Sequence, residues 1–441
     1  MGISLSILLL MQAAGEPVAT TDLPSALAAV YRDNPGIAAD REGLKVLDED
    51  VATARAAGRP SLLVEGSLAR SELDVVGTGG IVGIRLAQPV YRGGRVTANV
   101  RAAETNVLAG RQSLRESEID LMLDMIRAYS AVLRDRENLM LYDQTVAALR
   151  GLVGGEETRL SLGERTVTDV AQTRARLAGE LALREAASQR LAQSQQSFVQ
   201  LVGSQPGTLA PLPPLPALPP TEPDALAQAL DANPAVERAR LAAQVARFQT
   251  RAAVGNLLPT IDASASVQRR DEIVQILNRD VRQSLGTGTI TVTIPIYQGG
   301  GEYAAIRRAR HVTNVRELEI VEAERTVGYQ VAVAWNALRA ARAATVQLEQ
   351  VVTENETALR GTRRETELGS RTVLDLLNAE AELRNAQIAL SNSRHETYVA
   401  GASLLAATGA LSPESFGATI NRYAPEAHFE QVADRWIGTR P

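Results

Sequence analysis

The chain has 441 residues, 45% of them apolar but only 3% aromatic, and its 46 basic against 51 acidic side chains leave a net charge of −5. A compact core of this size draws on bulky rings to fill its interior, so long Ala/Leu/Val helices packed side by side are expected instead, and the acidic balance offers no basic face for nucleic acid. The zero cysteine count leaves no disulfide, no thiolate metal site and no lipidated N-terminal cysteine.

Residues Ile3 to Met11 form an apolar run followed by the small Ala13, Ala14 and Gly15. This reads as a signal peptide over residues 1–15, cleaved near Glu16, and so as an exported protein. The run is too short to span a bilayer. Beyond it the chain is written twice, over 20–205 and 224–411. Asn34-Pro35 recurs as Asn233-Pro234, and Pro60 as Pro259. Further on, Gln88-Pro89-Val90-Tyr91-Arg92-Gly93-Gly94 recurs as Ile294-Pro295-Ile296-Tyr297-Gln298-Gly299-Gly300. A repeat of this length is one structural unit used twice.

Each copy opens with a short helical pattern (Leu23 to Asp33; Asp224 to Ala232) and a second after Asn-Pro (Ile37 to Ala57; Ala235 to Val254). A β-hairpin follows, over 61–91 and 260–297. In the first, Leu62, Val64, Gly66 and Leu68 alternate with Leu63, Glu65, Ser67 and Ala69. In the second, Ile290, Val292, Ile294 and Ile296 alternate with Thr289, Thr291 and Thr293. Such alternation fits a half-buried soluble sheet or a membrane barrel strand with lipid on one side and water on the other. Four strands cannot close a barrel around a channel, whereas three chains would supply twelve. The second copy carries seven extra residues between Pro259 and Pro295, where a hairpin loop is expected.

Each hairpin leads into a strand-to-helix joint, Pro89, Tyr91, Gly93 and Gly94 in one copy and Pro295, Tyr297, Gly299 and Gly300 in the other. Proline is expected to end the strand because it has no N–H for the ladder, and the glycines permit the turn into the helix. The helical pattern then runs from about Arg95 to Leu160 and from about Glu302 to Glu367, roughly 100 Å at about 1.5 Å per residue. Val327, Val331, Ala334, Leu338, Ala341, Thr345, Leu348, Val352, Asn355 and Leu359 keep the alternating four and three spacing of a coiled-coil seam. Its partner is a shorter returning helix after the turn at Gly369, ending near Gly409. The first copy turns at Gly163 and ends near Gly203. A proline-dense stretch, 206–223, reads as a stiff extended linker between the copies. The tail, 412–441, has no clear period.

The duplicated order of helix, hairpin, long helix and return helix, the Pro/Gly joints and the Gly-x-Arg-Thr-x-x-Asp turns together resemble the TolC family of outer-membrane channel-tunnels. The resemblance implies an α+β membrane protein, a homotrimer whose twelve-stranded barrel in the outer membrane of a Gram-negative bacterium continues as an α-helical periplasmic tunnel. It implies an exit duct for type I secretion or tripartite efflux, partnered by outer-membrane lipid, a periplasmic adaptor and an inner-membrane ABC or proton-driven transporter. By the same resemblance Gly163, Arg165, Thr166, Asp169, Gly369, Arg371 and Thr372 form periplasmic tips that contact the adaptor, and Asp375 falls on the first acid of the pore constriction. The second acid falls on Asn378, and the tyrosine that latches the closed end falls on Thr366. Asp375 also has a plainer reading, an acid favoured near the positive end of a helix dipole.

No constellation for catalysis, cofactor or metal stands out, so the chain reads as no enzyme. His311, His395 and His428 have no ligand spacing and read as surface positions. Gly299-Gly300-Gly301 lacks the Gly-Lys-Ser/Thr of a phosphate cradle. Gly151, Gly154 and Gly155, each costing about 1 kcal/mol against Ala in a helix, either loosen the first tip or allow close packing there. The competing class is a secreted structural coiled coil or adhesin, which has no need of duplicated hairpins.

Overall fold

The computed structural model describes residues 21–71, 77–274 and 279–439. The signal-peptide reading of 1–15 lies outside these residues. In chain order the elements are α1 (Leu23–Asp33), α2 (Pro35–Ala56), β1 (Ser61–Ser71), β2 (Gly77–Arg92), α3 (Arg95–Ser161), α4 (Val167–Val202), α5 (Glu222–Ala232), α6 (Pro234–Val254), β3 (Thr260–Val274), β4 (Arg279–Thr293), α7 (Gly301–Glu367), α8 (Val373–Ala407) and α9 (Pro425–Val432). They fall into two compact units. One takes Arg115–Pro234, Glu324–Arg422 and the chain up to Ala39; the other takes Asp40–Leu114, Ala235–Ala323 and the chain from Tyr423.

In the first unit α1 lays Leu23, Leu27 and Val30 against Met122, Met125, Ile126 and Tyr129 of α3, Phe198 of α4 and Leu405 of α8. Tyr129 is fully buried, and its hydroxyl lies 2.9 Å from the Thr21 carbonyl and 2.7 Å from that of Ala210, so it ties the start of the repeat to the linker. The recurring Asn-Pro now has a reason. Asn34 Nδ2 donates to the Leu201 carbonyl near the end of α4, and Asn233 Nδ2 donates to that of Ala407, the last residue of α8. In each copy an orphan carbonyl of the return helix is satisfied by the asparagine that separates the two opening helices.

The coiled-coil seam of α7 is where the spacing puts it. Val327, Val331, Ala334 and Leu338 are buried, and Ala341, Thr345, Leu348, Val352, Asn355 and Leu359 are half-buried between exposed neighbours. Thr345 Oγ1 meets Ser393 Oγ at 2.8 Å and Thr397 Oγ1 at 3.0 Å on α8, and Arg363 pairs with Glu380 at 3.2 Å. In the first copy Arg184 of α4 reaches Asp143 of α3 at 2.8 Å.

The second unit holds one antiparallel sheet in the order β1-β2-β3-β4. Its register places Leu62 opposite Leu86, Val64 opposite Ile84, Ile84 opposite Val267, and Ala263 opposite Ile290. Directly opposed residues share a face, so the alternating apolar residues of all four strands line one side. That side is open, with Val64, Leu68 and Ile290 exposed by 74%, 89% and 75%. The other face carries Glu65 and Arg85 as an ion pair at 3.3 Å, and Ser266 and Thr287 joined by a hydrogen bond of 2.8 Å.

One expectation is corrected here. Pro89 does not end its strand: β2 continues to Arg92, with a bulge between Pro89 and Tyr91 that passes the missing N–H before pairing with β3 resumes. At Pro295 the expectation holds, because β4 stops at Thr293. In the second hairpin β3 has 15 residues against 11 in β1; the hairpin loop expected to take the added residues lies outside the described residues.

The first joint is tightly packed. Gly93 (φ 61°) lies so close to Gly255 that an added Cβ would sit 2.3 Å from the Gly255 carbonyl oxygen, whereas at Gly94 (φ 74°) a Cβ would meet nothing within 4 Å. Gly94→Ala should therefore cost only the left-handed strain of about 1–2 kcal/mol, and Gly93→Ala that strain plus about 1–3 kcal/mol of overpacking. Urea midpoints of the two variants in detergent check the order, and equal midpoints would contradict it.

Candidate functional site

At each tip a long helix is closed by a left-handed glycine and a short one is opened by a threonine. Gly163 (φ 78°) and Gly369 (φ 80°) follow α3 and α7. The Gly163 amide donates to the Leu160 carbonyl and the Glu164 amide to that of Arg159. Likewise the Gly369 amide donates to Thr366 and the Ser370 amide to Glu365. This paired closure satisfies helix-end carbonyls, and only glycine takes the left-handed turn without strain.

Three residues after the glycine, Thr166 and Thr372 cap α4 and α8. Asp169 N donates to Thr166 Oγ1, while the Thr166 amide and hydroxyl donate to Asp169 Oδ2 at 3.1 and 2.8 Å. In the second copy the Thr372 amide and hydroxyl donate to Asp375 Oδ2 at 3.0 and 2.7 Å, and Asp375 N returns a bond to Thr372 Oγ1. Both are capping boxes. The hydroxyl and amide of Thr372 hold the Asp375 carboxyl below its ordinary range; for Asp169 the Thr166 amide leads and the hydroxyl follows. The plainer reading of Asp375, an acid at a helix start, is thus realised within one chain.

The arginine between glycine and threonine reaches back to the long helix. Arg371 Nε lies 2.7 Å from Glu365, and Arg165 Nε 3.1 Å from Glu156. The first tip is the more enclosed, because Glu156 is fully buried and also meets Arg159 at 3.2 Å. Among the described residues nothing beyond the helix's own neighbouring turns comes within 4 Å of a Cβ at Gly151, Gly154 or Gly155, so no close packing within the described chain accounts for them. Asn378 is exposed, and the Thr366 hydroxyl donates to the Thr362 carbonyl within its own helix.

The predicted residues gather in separate places. Gly369, Arg371, Thr372 and Asp375 make one tip, and Gly163, Arg165, Thr166 and Asp169 the other, both in the first unit. The joint residues lie in the second unit. There Gln88 donates to the Gly58 carbonyl and Arg95 Nη1 donates to Asn256 Oδ1 at 2.7 Å.

Sequence reasoning missed a buried polar seam between α8 and the first-copy helices. Arg384 pairs with Glu180 of α4 and lies 5.6 Å over the ring of Tyr142 of α3. Ser391 Oγ donates to Glu137 at 2.6 Å, and Asn138 Nδ2 donates to Asn392 Oδ1 at 3.3 Å. His395 corrects the surface reading of the histidines: it is half-buried, 2.7 Å from Ser130 Oγ, and burial followed by the charge of Arg134 pushes its pKa down to about 4. His428 is mostly buried beside Asp48, whereas His311 is exposed.

The sequence model of the family described as outer membrane efflux protein matches residues 28–204 and 225–410, taking in both hairpins and both tips. The chain belongs to this family. Its relatives include the outer membrane efflux protein BepC of Brucella suis, 34% identical over 97% of this chain and 93% of BepC. The outer membrane protein TolC of Vibrio cholerae is 24% identical over 75% of this chain and 77% of its own. The crystal structure of the Campylobacter jejuni CmeC outer membrane channel shares the fold at a TM-score of 0.79 and 12% identity, covering 97% of this chain and 94% of that one. As an outer membrane efflux protein the chain is an outer-membrane exit duct with a periplasmic tunnel, and the reading as a secreted adhesin or free coiled coil falls.

The capping boxes carry a pH dependence. A carboxyl held below its ordinary pKa adds stability above that value and loses it as pH falls through the lowered one, so the second tip should loosen only below the usual aspartate range near about 3.9. Thr372→Ala should remove the cap at about 1 kcal/mol and loosen the tip at neutral pH. A nitroxide on Leu374→Cys, in a chain with no native cysteine, reads both effects. A label equally restrained with and without Thr372 would show the box to be dispensable.

Proposed function

We propose that three copies of the chain close a twelve-stranded barrel, and that this assembly passes cargo from an inner-membrane transporter and a periplasmic adaptor to the exterior. The observation that carries this reading is the sheet. It has one open apolar face and two edge strands, β1 and β4, each paired on one side only. A bilayer leaves no water to satisfy an open edge, so β4 must pair with β1 of another copy. The chain performs no chemistry on what it passes. Among the described residues no group of three His, Asp or Glu is placed to hold a metal ion. The tips, with Arg165 and Arg371 beside their glycine turns, are the adaptor contacts.

The pairing of β2 with β3 supplies the register for β4 with β1, because each strand has its counterpart in the other copy. Leu86 faces Ala265 within the chain. The corresponding pair between chains is Val292 and Gly66, which keeps both apolar faces on one side; a slip of one residue would turn them over. A Gly66→Cys/Val292→Cys variant should therefore oxidise to covalent trimers, while Leu62→Cys/Val292→Cys, four residues out of register, should not. A detergent-purified protein that stays monomeric in both, yet conducts in planar bilayers, would overturn the trimer.

Asp375 supplies the constriction in this assembly. Three copies of one carboxylate near a threefold axis repel one another and recruit a cation, which makes the closed duct cation-selective and open to block by multivalent cations. The neutral Asn378 leaves a single acidic ring. Single-channel recording of Asp375→Ala tests this: selectivity and block should both fall, and if both persist the residue is a helix cap alone.

A further inference from the structure

From Tyr423 onward the tail without a period is tied to the second unit. Tyr423 and Phe429 pack on the cluster of Leu44, Val51, Val107 and Leu114. His428 Nδ1 lies 2.9 Å from Asp48, which is wholly buried, and Arg111 pairs with Glu426 at 2.9 Å. Farther along, Arg55 donates to the Ala433 carbonyl and to Asp434. Arg59 donates to the Arg435 carbonyl at 2.6 Å, and its guanidinium stands 4.9 Å over the ring of Trp436. These contacts advance together along both segments, from Asp48 through Arg55 to Arg59 on one and from His428 to Trp436 on the other. The tail therefore runs alongside α2 toward the sheet.

It ends on two apolar side chains in the open. Trp436 is 65% exposed and Ile437 92%, although the backbone beside them is held by Arg59. Arg59 stands two residues before Ser61, the first residue of β1, and the open apolar face of the sheet begins at Leu62. At the same end of the sheet Tyr91 pairs with Ile261 and so shares that apolar face, itself partly exposed. An indole with an apolar ring and one N–H, a guanidinium stacked on it and a neighbouring isoleucine suit the zone where hydrocarbon gives way to headgroups. Barrels carry aromatic girdles at that level.

We propose that Trp436 and Ile437 are an interfacial anchor, seated in the headgroup zone of the periplasmic leaflet and delivered there by the tail from Tyr423 onward as a strap. The occupant is lipid because the exposed pair is held by Arg59 at the end of the sheet where the open apolar face begins, and the proposal rests on the outer-membrane placement of that sheet. The strap fixes the height of the chain in the bilayer at a point outside the strands.

The chain has two tryptophans, so Trp335→Phe leaves Trp436 as the only indole in full-length protein reconstituted into phosphatidylcholine vesicles. Its emission should be lost to lipid brominated near the headgroup, and less so to lipid brominated near the chain ends. A control carries Val64→Trp on the sheet's apolar face, with both native tryptophans changed to Phe. If the control is quenched by brominated lipid while Trp436 is not, the anchor is overturned and the membrane placement stands. Trp436 quenched only by aqueous acrylamide would put the tail end in water, and Trp436 shielded from both quenchers would put it between copies. If the control is untouched as well, the membrane placement fails and takes the anchor with it.

Discussion

The pairing of β2 with β3 is the interaction on which the rest of the sheet depends. Among the described residues it is the one pairing of strands between the two copies of the repeat, and it holds one register from Gly77 opposite Val274 to Pro89 opposite Asp262. Each hairpin alone would be a two-stranded ribbon of marginal stability. Joined, they form a sheet with a continuous apolar side, because the register aligns the faces of strands that lie far apart in the chain. The bulge after Pro89 is part of this constraint. It lets an inner strand absorb a proline and still reach Arg92, which pairs with Asp262 at 2.7 Å.

The tips show the same economy in another form. A glycine turn closes one helix and a Thr/Asp box opens the next, twice, so the Gly-x-Arg-Thr-x-x-Asp motif has a full structural account within a single chain. What differs between the copies is the acid that receives the arginine. Glu156 is sealed between Arg159 and Arg165, while Glu365 is exposed with Arg371. A buried carboxylate so enclosed resists rearrangement because moving either arginine takes a partner from a charge that water does not reach. The first tip is thus chemically stiffer at its acid, even though the glycines just before it weaken the helix.

Much of this was legible from residue spacing. The heptad of α7 reads directly as its buried seam, and strand alternation reads as two faces, because both periods are local properties of the chain. The joints and tips are marked by glycine at positions that need a left-handed turn. The rest was hidden by distance. Arg384, Glu180 and His395 look like solvated positions on long helices, and only their partners on the other copy make them buried. Pro89 was misjudged because a proline ends an edge strand but can be carried by a bulge in a strand with neighbours on both sides. The tail shows no period in the sequence because from Tyr423 onward it fits side chain by side chain onto α2, the residues just after it and α3.

The two joints have the same sequence pattern and the same left-handed glycines, yet they are in different states of completion. Gly93 rests against Gly255 of the other copy, and β2 runs on past its proline beside β3. Gly299 and Gly300 face open space, and β4 stops short of Pro295. The second joint is the first with its neighbour removed. A duplicated chain therefore separates two costs that a single repeat would confound: a side chain at Gly93 meets both left-handed strain and a packed neighbour while the polypeptide folds, whereas one at Gly299 meets within its own chain the strain alone.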